Sequence, residues 1–82
     1  MASYPYNRTY SDPIALAAGD ILENRGPGEV LVCPGTGPGD DDNAITLPNG
    51  RGIRIEAAVS VRLRSALRAG RVVVSTGWGT PA

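Results

Sequence analysis

The sequence lacks histidine and lysine and contains a single cysteine, Cys33. Without histidine, the usual catalytic triads and Cys-His pairs cannot form, and a zinc site would need carboxylates and one thiol. A single cysteine excludes an internal disulfide, and in an apolar segment its thiol is expected to behave as a small hydrophobic group. We therefore expect no catalytic site, no cofactor and no zinc.

An excess of charge of either sign is also missing. Eight arginines balance eight acids, so the formal net charge is zero, and the basic surface of a nucleic-acid binder is not indicated. No segment approaches the roughly 20 apolar residues of a membrane span. The N terminus has neither the basic n-region nor the apolar h-region of a signal peptide. We expect a protein made in a cytoplasm that binds neither nucleic acid nor membrane.

The length of the chain, 82 residues, allows one domain with a thin core. Below roughly 80 residues a single core rarely supplies more than about 3 to 5 kcal/mol, so disulfides, metals or oligomerisation usually add stability. Oligomerisation is the reinforcement that remains here. The exclusive use of arginine has two explanations, the codon bias of a GC-rich genome or a role in interfaces, where the planar guanidinium pairs well with carboxylates.

Short apolar runs separated by glycine and proline predict β-strands at spacings of roughly ten residues. Alternation of apolar and polar residues is clearest in 52–56 and 59–64. The other predicted strands are 14–17, 21–24, 29–33, 43–47 and 71–76. The predicted fold class is all-β, a small antiparallel β-sandwich or barrel of about six to seven short strands. The side chains expected to face inward in its second half are Ile45, Leu47, Ile53, Ile55, Val59, Val61 and Leu63.

The N terminus is predicted to be an extended arm, residues 1–12, preceding a domain of residues 13–79 and a tail of residues 80–82. The arm carries Tyr4, Tyr6, Arg8 and Tyr10 but no sustained apolar face, and prolines keep it extended. Tyrosine is enriched at interfaces. The arm is therefore either a loosely packed terminus or a segment that docks on a neighbouring subunit.

Three further features are candidates for protein contacts. Asp40, Asp41 and Asp42 lie in a loop without apolar residues, which is either a solvated acidic loop that pairs with a neighbour's arginines or a calcium site. A row of arginines, Arg54, Arg62 and Arg64, is expected on the sheet face opposite the core, either solvated or as a charged contact face. Trp78 either covers the end of its own core or forms a ligand platform.

The chain resembles small β-sandwich virion proteins of tailed bacteriophages and gene-transfer particles. The resemblance is carried by an Asn-x-Gly-x-x-x-Val-x-Val phrase, Asn24 to Val32, by the turn at residues 48–50 with the alternating strand after it, and by the Val-rich strand at 71–75. It implies a capsid decoration, cement or spike-base role, commonly as a trimer. The partner would be the major capsid protein or another virion protein, and the location the virion, assembled in the host cytoplasm.

Two functions from different classes are therefore open at this point. The first is a capsid decoration or cement protein that binds the outer capsid surface and stabilises it. The alternative is a carbohydrate- or surface-binding β-sandwich module, in which Trp78 and exposed tyrosines stack on sugar rings. A small enzyme subunit is the least favoured. A binding module should be a monomer whose tryptophan fluorescence responds to sugar, whereas a cement protein should travel with particles.

Overall fold

The computed structural model describes residues 2–76, which form eight β-strands and one short 3₁₀ helix. The strands are β1 (Ala2–Tyr6), β2 (Ile14–Leu16), β3 (Ile21–Asn24), β4 (Val30–Pro34), β5 (Ile45–Leu47), β6 (Gly52–Arg54), β7 (Val59–Arg64) and β8 (Gly70–Ser75). The 3₁₀ helix, Asp41–Asn43, precedes β5. Within residues 2–76 no helix has the length and apolar character to cross a membrane.

The strands form two antiparallel sheets of four strands each. Sheet A has the order β1-β8-β3-β6, and sheet B has the order β2-β7-β4-β5. Neither sheet closes into a barrel, so each has two edge strands: β1 and β6 in sheet A, β2 and β5 in sheet B. The all-β prediction is confirmed, and all seven strands predicted from the sequence are present at closely similar positions.

One buried cluster contains apolar side chains of both sheets. Because successive side chains of a strand point to opposite faces, each strand contributes every second residue. From sheet A come Tyr6, Leu22, Val72 and Val74, and from sheet B come Ile14, Leu16, Val30, Val32, Leu47, Val61 and Leu63, joined by Ile55. Of the side chains predicted to face inward, Leu47, Ile55, Val61 and Leu63 are buried, and Ile53 and Val59 pack against the cluster while partly buried. The prediction is wrong for Ile45, which lies on edge strand β5 and is 49% exposed.

Two glycines are required by the turns that connect the sheets. Gly26, at φ +75°, and Gly50, at φ +83°, adopt the left-handed region, where a side chain is strained. A Cβ at Gly26 would also overlap the side chain of Asn49. The loop after β3 and the turn between β5 and β6 therefore pack against each other, and glycine is needed at that contact.

The prediction of an N-terminal arm outside the fold is wrong for residues 2–6. These residues form β1, paired along its whole length with β8 of the same chain, from Ala2 opposite Val74 to Tyr6 opposite Gly70. Tyr6 is only 1% exposed. Proline is tolerated at Pro5 because β1 is an edge strand, where one side of the backbone needs no partner. The strand count is accordingly eight.

Candidate functional site

A polar surface held by several hydrogen bonds lies on the outer face of sheet B. On β7, Val61 and Leu63 enter the core, so Arg62 and Arg64 point away from it. The register places Arg62 opposite Cys33 and Arg64 opposite Leu31 of β4. The loop between β4 and β5 and the segment before β2 both contact these arginines, as the hydrogen bonds below show.

Four residues, Tyr10, Gly39, Asp41 and Arg64, form a unit that we call the Tyr10 clasp. The Tyr10 hydroxyl donates to Asp41 Oδ1 at 2.6 Å, and Arg64 Nη1 lies 3.3 Å from Asp41 Oδ2. The Arg64 guanidinium carbon is 5.7 Å from the centre of the Tyr10 ring, a cation-π distance. A Cβ at Gly39 would overlap the Tyr10 ring, so the ring lies directly on the backbone of the loop.

Arg62 fastens the same two segments at a second point. Its Nη1 donates to the carbonyl of Ser11 and its Nη2 to the carbonyl of Thr36, each at 2.9 Å. Ser11 is itself held to β7, because its N–H donates to the Leu63 carbonyl at 2.8 Å and its hydroxyl accepts from the Leu63 N–H at 3.1 Å. The loop is therefore fixed to the sheet although its 3₁₀ helix contains no buried residue.

The electrostatics of the clasp keep Tyr10 protonated. Burial, followed by the hydrogen bond and the negative charge of Asp41, raises the pKa of Tyr10 far above its ordinary value, and Arg64 offsets this only in part. A phenol held in this way is a hydrogen-bond donor and cannot act as a general base near neutral pH. The clasp is therefore suited to holding a loop in one shape.

Replacing Tyr10 by phenylalanine should loosen the clasp. Tyr10→Phe removes the hydrogen bond to the Asp41 carboxylate, and we expect a loss of about 1 kcal/mol in the free energy of unfolding. The raised folded pKa also makes Tyr10 contribute stability that is complete below about pH 10 and is lost as the pH rises further. Denaturant titrations from pH 8 to pH 11 should thus show a shallower alkaline loss in the variant, and an identical pH profile would contradict this role.

The acidic loop shows no arrangement for calcium. Asp40 caps the 3₁₀ helix, its Oδ1 accepting from the Asp42 N–H at 3.0 Å, and Asp41 is engaged by Tyr10 and Arg64 of the same chain. Across residues 2–76, no three cysteine, aspartate or glutamate side chains are grouped to hold a metal ion. Asp41 therefore pairs with an arginine of its own chain, where the sequence suggested a neighbour's.

A second polar centre is buried between the sheets, around Asn24. Its Nδ2 donates to the carbonyls of Gly28 and Leu47 at 2.7 and 2.8 Å, and its Oδ1 accepts from the Gly26 N–H at 2.7 Å. The Tyr6 hydroxyl lies 2.9 Å from the same Oδ1 and 3.0 Å from the Gly28 carbonyl. Asn24 thus uses both donors and accepts twice at its amide oxygen, which links β1, β3 and β5.

The candidate residues predicted from the sequence are distributed over several surfaces. Tyr4 is partly buried against the core and Tyr6 is fully buried, while Arg8 is exposed. The predicted arginine row is not continuous, because Arg54 belongs to β6 of sheet A whereas Arg62 and Arg64 belong to sheet B. Trp78 lies outside the described residues. Among the candidates within residues 2–76, Tyr10, Asp41, Arg62 and Arg64 lie together on the outer face of sheet B.

The tyrosines offer little to the carbohydrate-binding alternative. The Tyr6 ring is inside the core, and the Tyr10 ring is covered by Gly39 and Arg64. Stacking on a sugar requires an open aromatic face, which Tyr6 lacks and which the contacts with Gly39 and Arg64 restrict at Tyr10. That alternative now depends on Tyr4 and Trp78.

Sequence reasoning missed Asn24 and Gly39 as organising residues. Asn24 shares the inward face of β3 with Leu22, so a polar residue at a core position, two residues before a Gly-Pro-Gly turn, was a usable signal for a buried network. Gly39 gave no such signal, since its contact with Tyr10 joins positions 29 residues apart.

Comparisons of the chain with protein-family models, curated proteins and solved structures give no match.

Proposed function

We propose that this chain is a non-catalytic virion structural protein of a tailed bacteriophage or gene-transfer particle. In this role it decorates the outer capsid surface and stabilises it through contacts with the major capsid protein or another virion protein. Two packed antiparallel sheets fit the β-sandwich of the proteins that the sequence resembles. Assembly in the host cytoplasm and a homotrimeric state, common in that group, are parts of the same proposal.

The observation that carries the proposal is a loop that is both exposed and fixed. Residues 40–43 are exposed to solvent, yet the Tyr10 clasp and Arg62 hold this loop on the sheet. A loop positioned by a rigid scaffold has little conformational freedom left to lose on binding, which is typical of a recognition surface. It is continuous with edge strand β5, whose Ile45 is half exposed.

The contact surface is therefore proposed to be the acidic loop and β5, with Asp40, Asp42 and Ile45 at its centre. This replaces the N-terminal segment, because β1 is committed to sheet A of its own chain. Two exposed carboxylates beside an apolar side chain favour a partner surface with basic residues around an apolar depression. Many copies on a particle would bind without each contact being strong.

The proposal is tested on purified particles from the source of the sequence. Mass spectrometry should detect the chain at a copy number in fixed proportion to the major capsid protein. Added to particles that lack it, the purified chain should co-sediment, and Asp40→Asn/Asp42→Asn should lower occupancy at moderate salt by about tenfold, the scale of 1.4 kcal/mol. Asparagine keeps the 3₁₀ cap, so the loop itself should persist.

Asp12→Asn is the matched control, because Asp12 is another exposed acid, placed before β2. It should leave occupancy unchanged. Absence of the chain from particles, together with saturable tryptophan quenching by a sugar, would refute the proposal in favour of the carbohydrate-binding module.

A further inference from the structure

The turn between β5 and β6 contains a chemically labile pair, Asn49-Gly50. Asparagine is among the least durable residues, and glycine after it removes the Cβ that would hinder ring closure. Both residues are exposed. The chain has three other asparagines, Asn7, Asn24 and Asn43, none of them followed by glycine, so Asn49 is intrinsically the most reactive.

The reaction is a balanced hydrolysis that needs only water. The Gly50 backbone nitrogen loses its proton and attacks Cγ of Asn49; the bond from Cγ to the side-chain nitrogen breaks and ammonia leaves. Water then opens the cyclic imide at either carbonyl, giving aspartate or isoaspartate at position 49. The net change is loss of ammonia and gain of water, without any oxidant or reductant.

In the folded chain the attacking nitrogen is already engaged. The Gly50 N–H donates to the Asn24 carbonyl at 2.9 Å, and the Asn24 N–H donates back to the Arg51 carbonyl at 2.9 Å. Asn24 has no solvent exposure and is fixed by the four side-chain hydrogen bonds described above. The Asn49 side chain lies against Gly26. Its Cγ, the carbon that is attacked, is therefore also held in place in the folded chain.

We propose that Asn49 is a deamidation site and that the hydrogen bonds around buried Asn24 prevent the reaction while the chain is folded. The reaction occurs when the turn opens and the Gly50 N–H leaves the Asn24 carbonyl. Isoaspartate adds one carbon to the backbone, so the modified turn cannot regain its place against Gly26 and β3. Each deamidated molecule is therefore one in which the turn has opened at least once. The inference does not depend on the proposed virion role.

The test compares the four asparagines of the full chain by peptide mass spectrometry after incubation at neutral pH. In denaturant, Asn49 should deamidate faster than Asn7 and Asn43. Under native conditions its rate should fall by about tenfold or more, because each factor of ten corresponds to only 1.4 kcal/mol of opening free energy. Equal rates for Asn49 in the folded and unfolded chain would overturn the proposal.

Two variants that each remove one tyrosine hydroxyl test whether the Asn24 network protects Asn49. Tyr6→Phe deletes the hydroxyl beside Asn24 and should accelerate native-state deamidation of Asn49 several-fold, with parallel faster hydrogen exchange at the Gly50 amide. Tyr10→Phe makes the same chemical change in the clasp, away from Asn24, and should raise both rates less than Tyr6→Phe does. The Asn24 network would not be what protects Asn49 if Tyr6→Phe left the deamidation rate unchanged. The same would follow if Tyr10→Phe raised that rate as much as Tyr6→Phe does.

Discussion

Asn24→Ala is expected to unfold a large fraction of the molecules. The change removes a side chain with no solvent exposure and all four of its hydrogen bonds. The Gly26 N–H and the Leu47 carbonyl lose these partners, and a buried polar group left unsatisfied costs about 1 to 3 kcal/mol. With a cavity added, the loss approaches the about 3 to 5 kcal/mol that a core of this size supplies.

The measurement for Asn24→Ala is denaturant unfolding followed by circular dichroism. Asn43→Ala is the control, because Asn43 is exposed on the 3₁₀ helix, and it should stay within about 0.5 kcal/mol of the parent. The same unfolding midpoint for the two variants would show that the hydrogen bonds of Asn24 do not stabilise the folded chain.

Among the glycines of residues 2–76 whose backbone is not left-handed, Gly70 is the one whose substitution by alanine should be most damaging. A Cβ at Gly70 would overlap the Gly26 carbonyl oxygen and the Tyr6 hydroxyl. The Gly26 oxygen is a backbone atom that accepts from the Arg71 N–H at 3.1 Å, so it cannot simply turn aside. Overpacking of this kind costs about 1 to 3 kcal/mol or more.

Gly37→Ala provides the comparison for Gly70→Ala. Nothing lies within 4 Å of a Cβ at Gly37, so its melting temperature should match that of the parent. For Gly70→Ala, by contrast, we expect a fall of roughly 5 to 10 °C or more, since about 1 kcal/mol corresponds to 4 to 8 °C in a domain of this size. Equal melting temperatures for the two variants would contradict the observed position of Tyr6.

Local patterns predicted most of the strands because they depend on neighbouring residues. Alternation identified β6 and β7, and the Pro48-Asn49-Gly50 turn signalled the reversal between β5 and β6. The sequence Ala2 to Tyr6 also alternates, with Tyr4 and Tyr6 facing inward, but the proline and the lack of aliphatic residues favoured an arm. The rule that proline is tolerated on edge strands was the signal that would have corrected this.

The arrangement of the arginines could not be predicted, because strand order is a long-range property. Alternation correctly places Arg54, Arg62 and Arg64 away from the core, yet it does not say which sheet each strand joins. Likewise, the contact between Tyr10 and Asp41 spans 31 positions. Residue types indicated that these side chains make polar contacts, whereas only the fold shows that they contact each other.

The first strand is central, because β1 pairs with β8 at the edge of sheet A and brings Tyr6 to Asn24. With β1 committed to its own chain, the acidic loop and β5 are left as the proposed contact surface. Nuclear magnetic resonance of the full chain tests this directly. We predict cross-strand Overhauser contacts between Ser3 and Val73 and between Tyr4 and Val72, with slow amide exchange at Tyr6. Random-coil shifts and rapid exchange throughout residues 2–6, in a chain that is otherwise folded, would contradict it.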